Sequence, residues 1–129
     1  MKRKIDTIGD IEFLVDTFYE RIRKDELLGP VFNEAIKDKW PEHLEKMYLF
    51  WQTLLLGEHT YYGSPFAPHA HLPVAREHFD RWLQLFHTTV DEHFEGERTA
   101  EAKMRAIKMA DMFQYKIAYL KQKGAIPLK

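Results

Sequence analysis

Seven histidines in a chain of 129 residues that has no cysteine mark where metal or acid–base chemistry would sit. His69 is placed least like a solvated residue. It lies in Pro65-Phe66-Ala67-Pro68-His69-Ala70-His71-Leu72-Pro73, where Pro68 can open a short helical turn and Pro73 biases Leu72 away from the helical region. A neutral imidazole on such a stiff platform is available to a metal ion; the competing reading is an ordinary loop histidine. His71 points away from His69 on a helical turn and to the same side only on an extended one, so a surface role is expected for it. His43, with Met47 one turn later, sets a polar group over an apolar wall. It suits a pocket that offers one hydrogen-bond donor, or else a helix-boundary histidine facing solvent. Tyr19 and Trp82 read first as core aromatics, but a buried phenol or indole N–H needs a polar partner.

Other site chemistries fail on spacing. The chain contains no His-Glu-x-x-His and no Glu-x-x-His pair, which disfavours a zinc hydrolase and a di-iron bundle. Glycine-rich phosphate loops and the Gly-x-Ser-x-Gly elbow are also missing. A zinc site from His69, His71 and His78 would lack an evident fourth ligand.

The elements that must position these groups are helices. Thr7-Ile8-Gly9-Asp10 has the form of a capping box, and Ile11, Leu14, Val15, Phe18 and Ile22 follow at helical spacing. A first helix is expected from about Ile8 to Lys24, with Tyr19 beside its apolar stripe. Gly29-Pro30 should stop the chain, leaving Val31 to Ile36 as a short helical turn with Phe32 inward. Pro41 suits the first turn of the next helix and Gly57 its end, with His43, Met47, Phe50, Trp51 and Leu54 on one face. An aperiodic interval runs from about Gly57 to Val74. Its Tyr61, Tyr62, Phe66 and Leu72 are too apolar for a solvated linker, and its prolines reduce the entropy lost on ordering it. Phe79, Trp82, Leu83, Phe86 and Val90 then define a helix from about Ala75 to Phe94, closed by Gly96. Thr99 is expected to cap the last helix, which carries Ala106, Met109, Ala110, Phe113, Ile117 and Leu120 to about Gln122 before Gly124 and Pro127 end it.

With 129 residues the chain is expected to be one all-α domain, 1–129. The formal charge of −1 and the mixing of both signs disfavour a nucleic-acid partner. Lack of cysteine excludes disulfides, thiolate metal sites and a cysteine nucleophile. No stretch reaches membrane-spanning length and Met1-Lys2-Arg3-Lys4 is not followed by a signal-type apolar run, so a cytoplasmic protein with no membrane partner is expected.

Phe18-Tyr19-Glu20, Leu28-Gly29-Pro30-Val31-Phe32-Asn33, His43 followed by Phe50-Trp51, Leu55-Leu56-Gly57-Glu58, Tyr62-Gly63-Ser64-Pro65, His69-Ala70-His71-Leu72-Pro73 and Phe79-Asp80-Arg81-Trp82-Leu83 together give the chain a resemblance to the truncated haemoglobins, specifically their third group. The resemblance covers roughly Phe13 to Leu120 and rests on the order and spacing of the fragments. It implies a shortened globin, a two-over-two helical sandwich around haem b (iron protoporphyrin IX). It makes His69 the proximal iron ligand, puts Tyr19, His43 and Trp82 on the distal side, and packs Phe32 against the porphyrin. Met47 stands where that family usually has an aliphatic residue. Dioxygen, with nitric oxide and carbon monoxide, would be the gas ligand of a five-coordinate iron. Nitric oxide dioxygenase or peroxidase-like activity would need an external electron donor. The alternative is a non-haem all-α interaction domain whose aromatic stripes only form a core.

Overall fold

Five helices account for most of the computed structural model, which describes residues 2–123. They are α1 (Ile8–Lys24), α2 (Leu28–Ile36), α3 (Trp40–Leu56), α4 (Arg76–His93) and α5 (Glu97–Gln122), with a 3-10 turn at Ala67–His69 between α3 and α4. α1 packs on α3 and α4 on α5, and the two pairs are joined through α1–α4 and α3–α5 contacts. That is a two-over-two stack of helices, as expected.

α1 begins as its capping signal predicts: Thr7 Oγ1 accepts from Asp10 N–H at 3.3 Å and Asp10 Oδ2 accepts from Thr7 N–H at 3.0 Å. Ile11, Leu14, Val15, Phe18 and Ile22 are all buried, and Tyr19 is buried with them. The α1 stripe therefore supplies the floor on which the other helices rest. Phe18 is its hub, edge-on to Trp82 at 5.5 Å and to Phe86 at 5.1 Å, while Phe86 stacks between Trp51 and Trp82. Such offset and edge-on aromatic pairs contribute about 0.5–1.5 kcal/mol each beyond their buried area.

The sequence expectation fails at two helix boundaries. Gly29-Pro30 does not stop the chain but lies in the first turn of α2, where a proline's missing N–H costs nothing. Asp25 carboxylate caps that start, accepting from Leu27 N–H and Leu28 N–H at 3.1 and 3.0 Å. Thr99 does not cap α5; the cap is Gly96 at φ 104°, three residues earlier. Such a φ is readily available only to glycine, and it lets the chain reverse between α4 and α5 with Thr99 already buried in the first turn. α4 spans Arg76–His93, with the expected bounds Ala75 and Phe94 as its two caps.

The interval between α3 and α4 is ordered by two different anchors. Thr53 Oγ1 accepts from Thr60 N–H and Tyr61 N–H at 3.1 and 3.0 Å, which fastens the exit from α3 and lays Tyr61 edge-on against Phe50. Further along, Phe66 and His69 both rest on Phe113 of α5, at ring-centroid distances of 5.5 and 4.7 Å. Gly57 closes α3 at φ 71° as its position suggested. The expected termination of α5 at Gly124 and Pro127 lies outside the described residues.

Candidate functional site

His69 ends the 3-10 turn Ala67–His69, of which Pro68 is the second residue, and its orientation is fixed by one short contact. His69 Nδ1 lies 2.7 Å from the Pro65 carbonyl oxygen. A carbonyl only accepts, so Nδ1 carries the proton and the Nε2 lone pair is left for another partner. Burial pushes the imidazole pKa down, against the opposing pull of the Pro65 carbonyl, and the ring is neutral at pH 7. This is the usual preparation of a metal-ligating histidine, whose second nitrogen is tied to a carbonyl or carboxylate.

A second imidazole stands on another wall. His43 lies one turn into α3, edge-on to Tyr19 of α1 at 5.1 Å and to Trp40 at 5.6 Å. Its Nε2 is buried and has no hydrogen-bond partner among the described residues. Burial, the nearby His69 and Lys46 together push its pKa down to about 4. An orphaned buried nitrogen ordinarily costs about 1–3 kcal/mol, which a hydrogen-bonding ligand beside it would recover.

Tyr19 completes this wall. It touches Phe32 at 6.1 Å and Trp40 at 5.9 Å, and burial alone drives its phenol far above the ordinary value, so the hydroxyl is a permanent donor. Phe32 on α2, Met47 on α3 and Trp82 on α4 are half-buried against the core, with Trp82 held in register by its stack on Phe86 at 5.6 Å. The structure thus brings Tyr19, Phe32, Trp40 and His43 of α1, α2 and α3 into one cluster, with Trp82 of α4 joined to it through Phe18, while His69 stands on the α3–α4 loop against Phe113. His71 is exposed and takes no part. His78 is likewise occupied elsewhere, its Nδ1 accepting from Ala75 N–H at 3.0 Å at the start of α4. Among the described residues no group of three or more His, Cys, Asp or Glu side chains is arranged to hold a metal.

Two contributors were not legible as site residues. Trp40 read only as the opening of α3, yet it is buried, packs on both Tyr19 and His43, and carries the Arg23 guanidinium over its ring at 4.5 Å. Its position three residues before His43 was the available signal, since i and i+3 share a helix face. Phe113 read as one more core residue of the α5 stripe; it is the platform under His69.

The architecture and the residue pattern agree with comparisons to known proteins. A family model described as bacterial-like globin matches residues 4–116. A group 3 truncated haemoglobin of Campylobacter jejuni is 39% identical over 117 residues, which are 86% of this chain and 92% of that protein. A group 2 truncated haemoglobin of Bacillus subtilis is 34% identical over 89 residues, 65% of each. The crystal structure of group III truncated haemoglobin from Campylobacter jejuni matches with a TM-score of 0.83 at 37% identity, covering 91% of this chain and 95% of that one. The chain therefore belongs to the bacterial-like globins and, among them, to the group 3 truncated haemoglobins.

Proposed function

We propose that this protein holds haem b through His69 Nε2 and binds dioxygen reversibly, with nitric oxide and carbon monoxide as further ligands. The observation that carries the reading is the pairing of a His69 ring whose Nδ1 is committed to the Pro65 carbonyl with a buried His43 Nε2 that has no partner among the described residues. The donor set fits the group: one neutral imidazole for the iron, apolar walls for the macrocycle, and hydrogen-bond donors on a separate wall. Bound there, haem would be held by His69 Nε2 and would supply an iron able to bind a diatomic ligand.

The chain's own residues do the rest. Phe32, Met47 and Trp82 exclude water and give the macrocycle its apolar contacts. Tyr19 hydroxyl stays protonated through burial and donates to a polarised ligand, and the Trp82 indole N–H is a second donor. Each such hydrogen bond contributes about 1 kcal/mol, so each slows ligand escape about fivefold. His43 is neutral at pH 7 and brings no charge into the pocket. Near the start of α3 it is placed to act as a gate. Removal of nitric oxide or peroxide by this site consumes electrons, and an external electron donor is part of the proposal.

Absorption spectra of the purified protein, oxidised, reduced and under carbon monoxide, test the reading. A Soret band that shifts on reduction and again under carbon monoxide is expected, together with its loss or scrambling in His69→Ala. A colourless protein at full haem supply, or unchanged spectra in His69→Ala, would overturn it.

A further inference from the structure

We infer that Tyr61 is the point at which an external donor hands single electrons to this protein, and that a file of packed rings carries them inward through Phe50, Trp51 and Phe86 to Trp82. The inference rests on the haem reading above, in which Trp82 lies against the macrocycle, and it gives the electron donor of that reading a place and a chemical class. Trp82 stacks on Phe86 at 5.6 Å with the ring planes 4° apart, and Trp51 stacks on Phe86 at 5.1 Å and 18°. Phe50 is edge-on to Trp51 at 5.4 Å and to Tyr61 at 5.3 Å. Every step is the contact of a packed aromatic pair, and electron transfer falls off exponentially with the gap between rings. Phe50, Trp51 and Phe86 are buried, so no solvent interrupts the file. Tyr61 at its outer end is partly exposed, and its N–H donates to Thr53 Oγ1 at 3.0 Å, which holds it in place.

Two other aromatic residues of the site are unsuited to this role. Tyr19 is buried, and burial drives its phenol far above the ordinary value. A phenol gives up an electron readily only when its proton can leave too. Trp40 touches Tyr19 at 5.9 Å, but the Arg23 guanidinium lies over its ring at 4.5 Å. That fixed cation opposes the positive charge that oxidation puts on an indole. None of the five rings of the file carries such a cation among the described residues. Burial penalises a charge that rests on Trp51, so the charge moves on to Tyr61, the phenol of the file with water at hand.

Reduction of hydrogen peroxide to two waters breaks its O–O bond and takes two electrons and two protons. Each electron comes along the file from Tyr61, whose O–H sends the electron inward and its proton to solvent and becomes a phenoxyl radical. A donor of hydrogen atoms, such as ascorbate or a small phenol, restores the hydroxyl. Two donors are oxidised for each peroxide, and the protons that Tyr61 releases equal those that peroxide takes up.

Hydrogen peroxide added to the purified holoprotein with a nitroso spin trap and no donor tests this, read by electron paramagnetic resonance and peptide mass. The trap adduct is expected on Tyr61, although Tyr62 at 81% and Tyr115 at 73% exposure are far more open. Tyr61→Phe keeps the ring against Phe50; it should abolish that adduct and slow ascorbate-dependent consumption of peroxide at least tenfold, while Tyr62→Phe changes neither. Trp51→Phe and, as a second interruption, Phe50→Leu should each lower the Tyr61 adduct at least fivefold. Far-UV circular dichroism and the Soret band check that each variant keeps its fold and its haem. Adducts on Tyr62 or Tyr115 with none on Tyr61 overturn the inference, as does an undiminished Tyr61 adduct in the interrupted variants; in either case an intact Soret band leaves the haem reading standing. A chain that takes up no haem overturns both.

Discussion

His69 is aimed by the carbonyl of Pro65, four residues back in the same loop, with Nδ1 and the oxygen 2.7 Å apart. The accepting carbonyl belongs to the backbone, so the contact is set by loop conformation and not by a second side chain. The loop is in turn fixed by proline at 65, 68 and 73 and by the seat of Phe66 and His69 on Phe113. Orientation and tautomer of the ring are thereby settled before any ligand arrives.

If Nε2 of this ring is what holds haem, His69→Gly removes the ligand and leaves a cavity of imidazole shape. Haem retention should fall steeply, and millimolar free imidazole should restore the spectrum of the wild-type protein. Titration followed at the Soret band measures it; no recovery with imidazole would argue that the variant lost its fold and not merely its ligand.

Tyr19→Phe deletes one hydroxyl and keeps the ring that packs on Phe18, Phe32, Trp40 and His43. Dioxygen release should accelerate about fivefold or more, consistent with roughly 1 kcal/mol for the lost donor. Stability should change by under about 1 kcal/mol, because no neighbour is left without a partner. Stopped-flow displacement by carbon monoxide reads the rate, and equal rates in the two proteins would remove Tyr19 from the ligand contacts.

Asp25 joins α1, α2 and α4: its Oδ1 accepts from Arg81 Nε at 2.7 Å while Oδ2 caps α2. Burial pushes this carboxyl up, but the Leu28 N–H and the Arg81 guanidinium more than reverse it, and the net shift is below the usual carboxylate value. A depressed folded pKa gives stability that is complete above the unfolded value of about 3.9 and is lost as pH falls through the lower folded value. Asp25→Asn should cost about 1–3 kcal/mol at pH 7, at the low end because Arg81 is partly exposed. The deficit should shrink below about pH 3.9. Urea unfolding at pH 7 and pH 3 measures both.

Gly29 allows α2 to start against the end of α1. A Cβ at this position would stand 2.8 Å from the Arg23 carbonyl oxygen, which is backbone and cannot move aside. Gly29→Ala should therefore lose about 1–3 kcal/mol by overpacking, although alanine is the better helix former by about 1 kcal/mol. Thermal unfolding of the haem-free chain gives the sign, and a raised Tm would show that α2 tolerates displacement.

The sequence by itself determined the helices that depend on local chemistry. Thr7 with Asp10, Pro41 and Gly57 act within one turn of their own positions, so α1 and α3 begin and end where those residues put them. The α1 stripe was equally legible, because burial on all sides obliges every inward position to be apolar. Local signals misled where a neighbour from elsewhere intervened. Gly29-Pro30 opens a helix because Asp25 and the end of α1 are there to meet it, and α5 starts at Glu97 because the N-terminal strap pairs Arg3 with the backbone beside Phe94 and fixes the reversal at Gly96.

In the site the division is sharper. The sequence presents a histidine among prolines, a histidine over an apolar wall, a phenol and an indole, and each has a bland reading as good as the functional one. The arrangement of these groups is a property of packing: the Tyr19 and His43 rings meet because α1 lies on α3, Trp82 is held by Phe18 and Phe86, and His69 is held against α5 by Phe113. Whether a buried nitrogen has a partner depends on every chain segment around it, which no single stretch of sequence records. Only the folded chain decides that His43 Nε2 has no partner among the described residues and that His69 Nδ1 is committed to the Pro65 carbonyl.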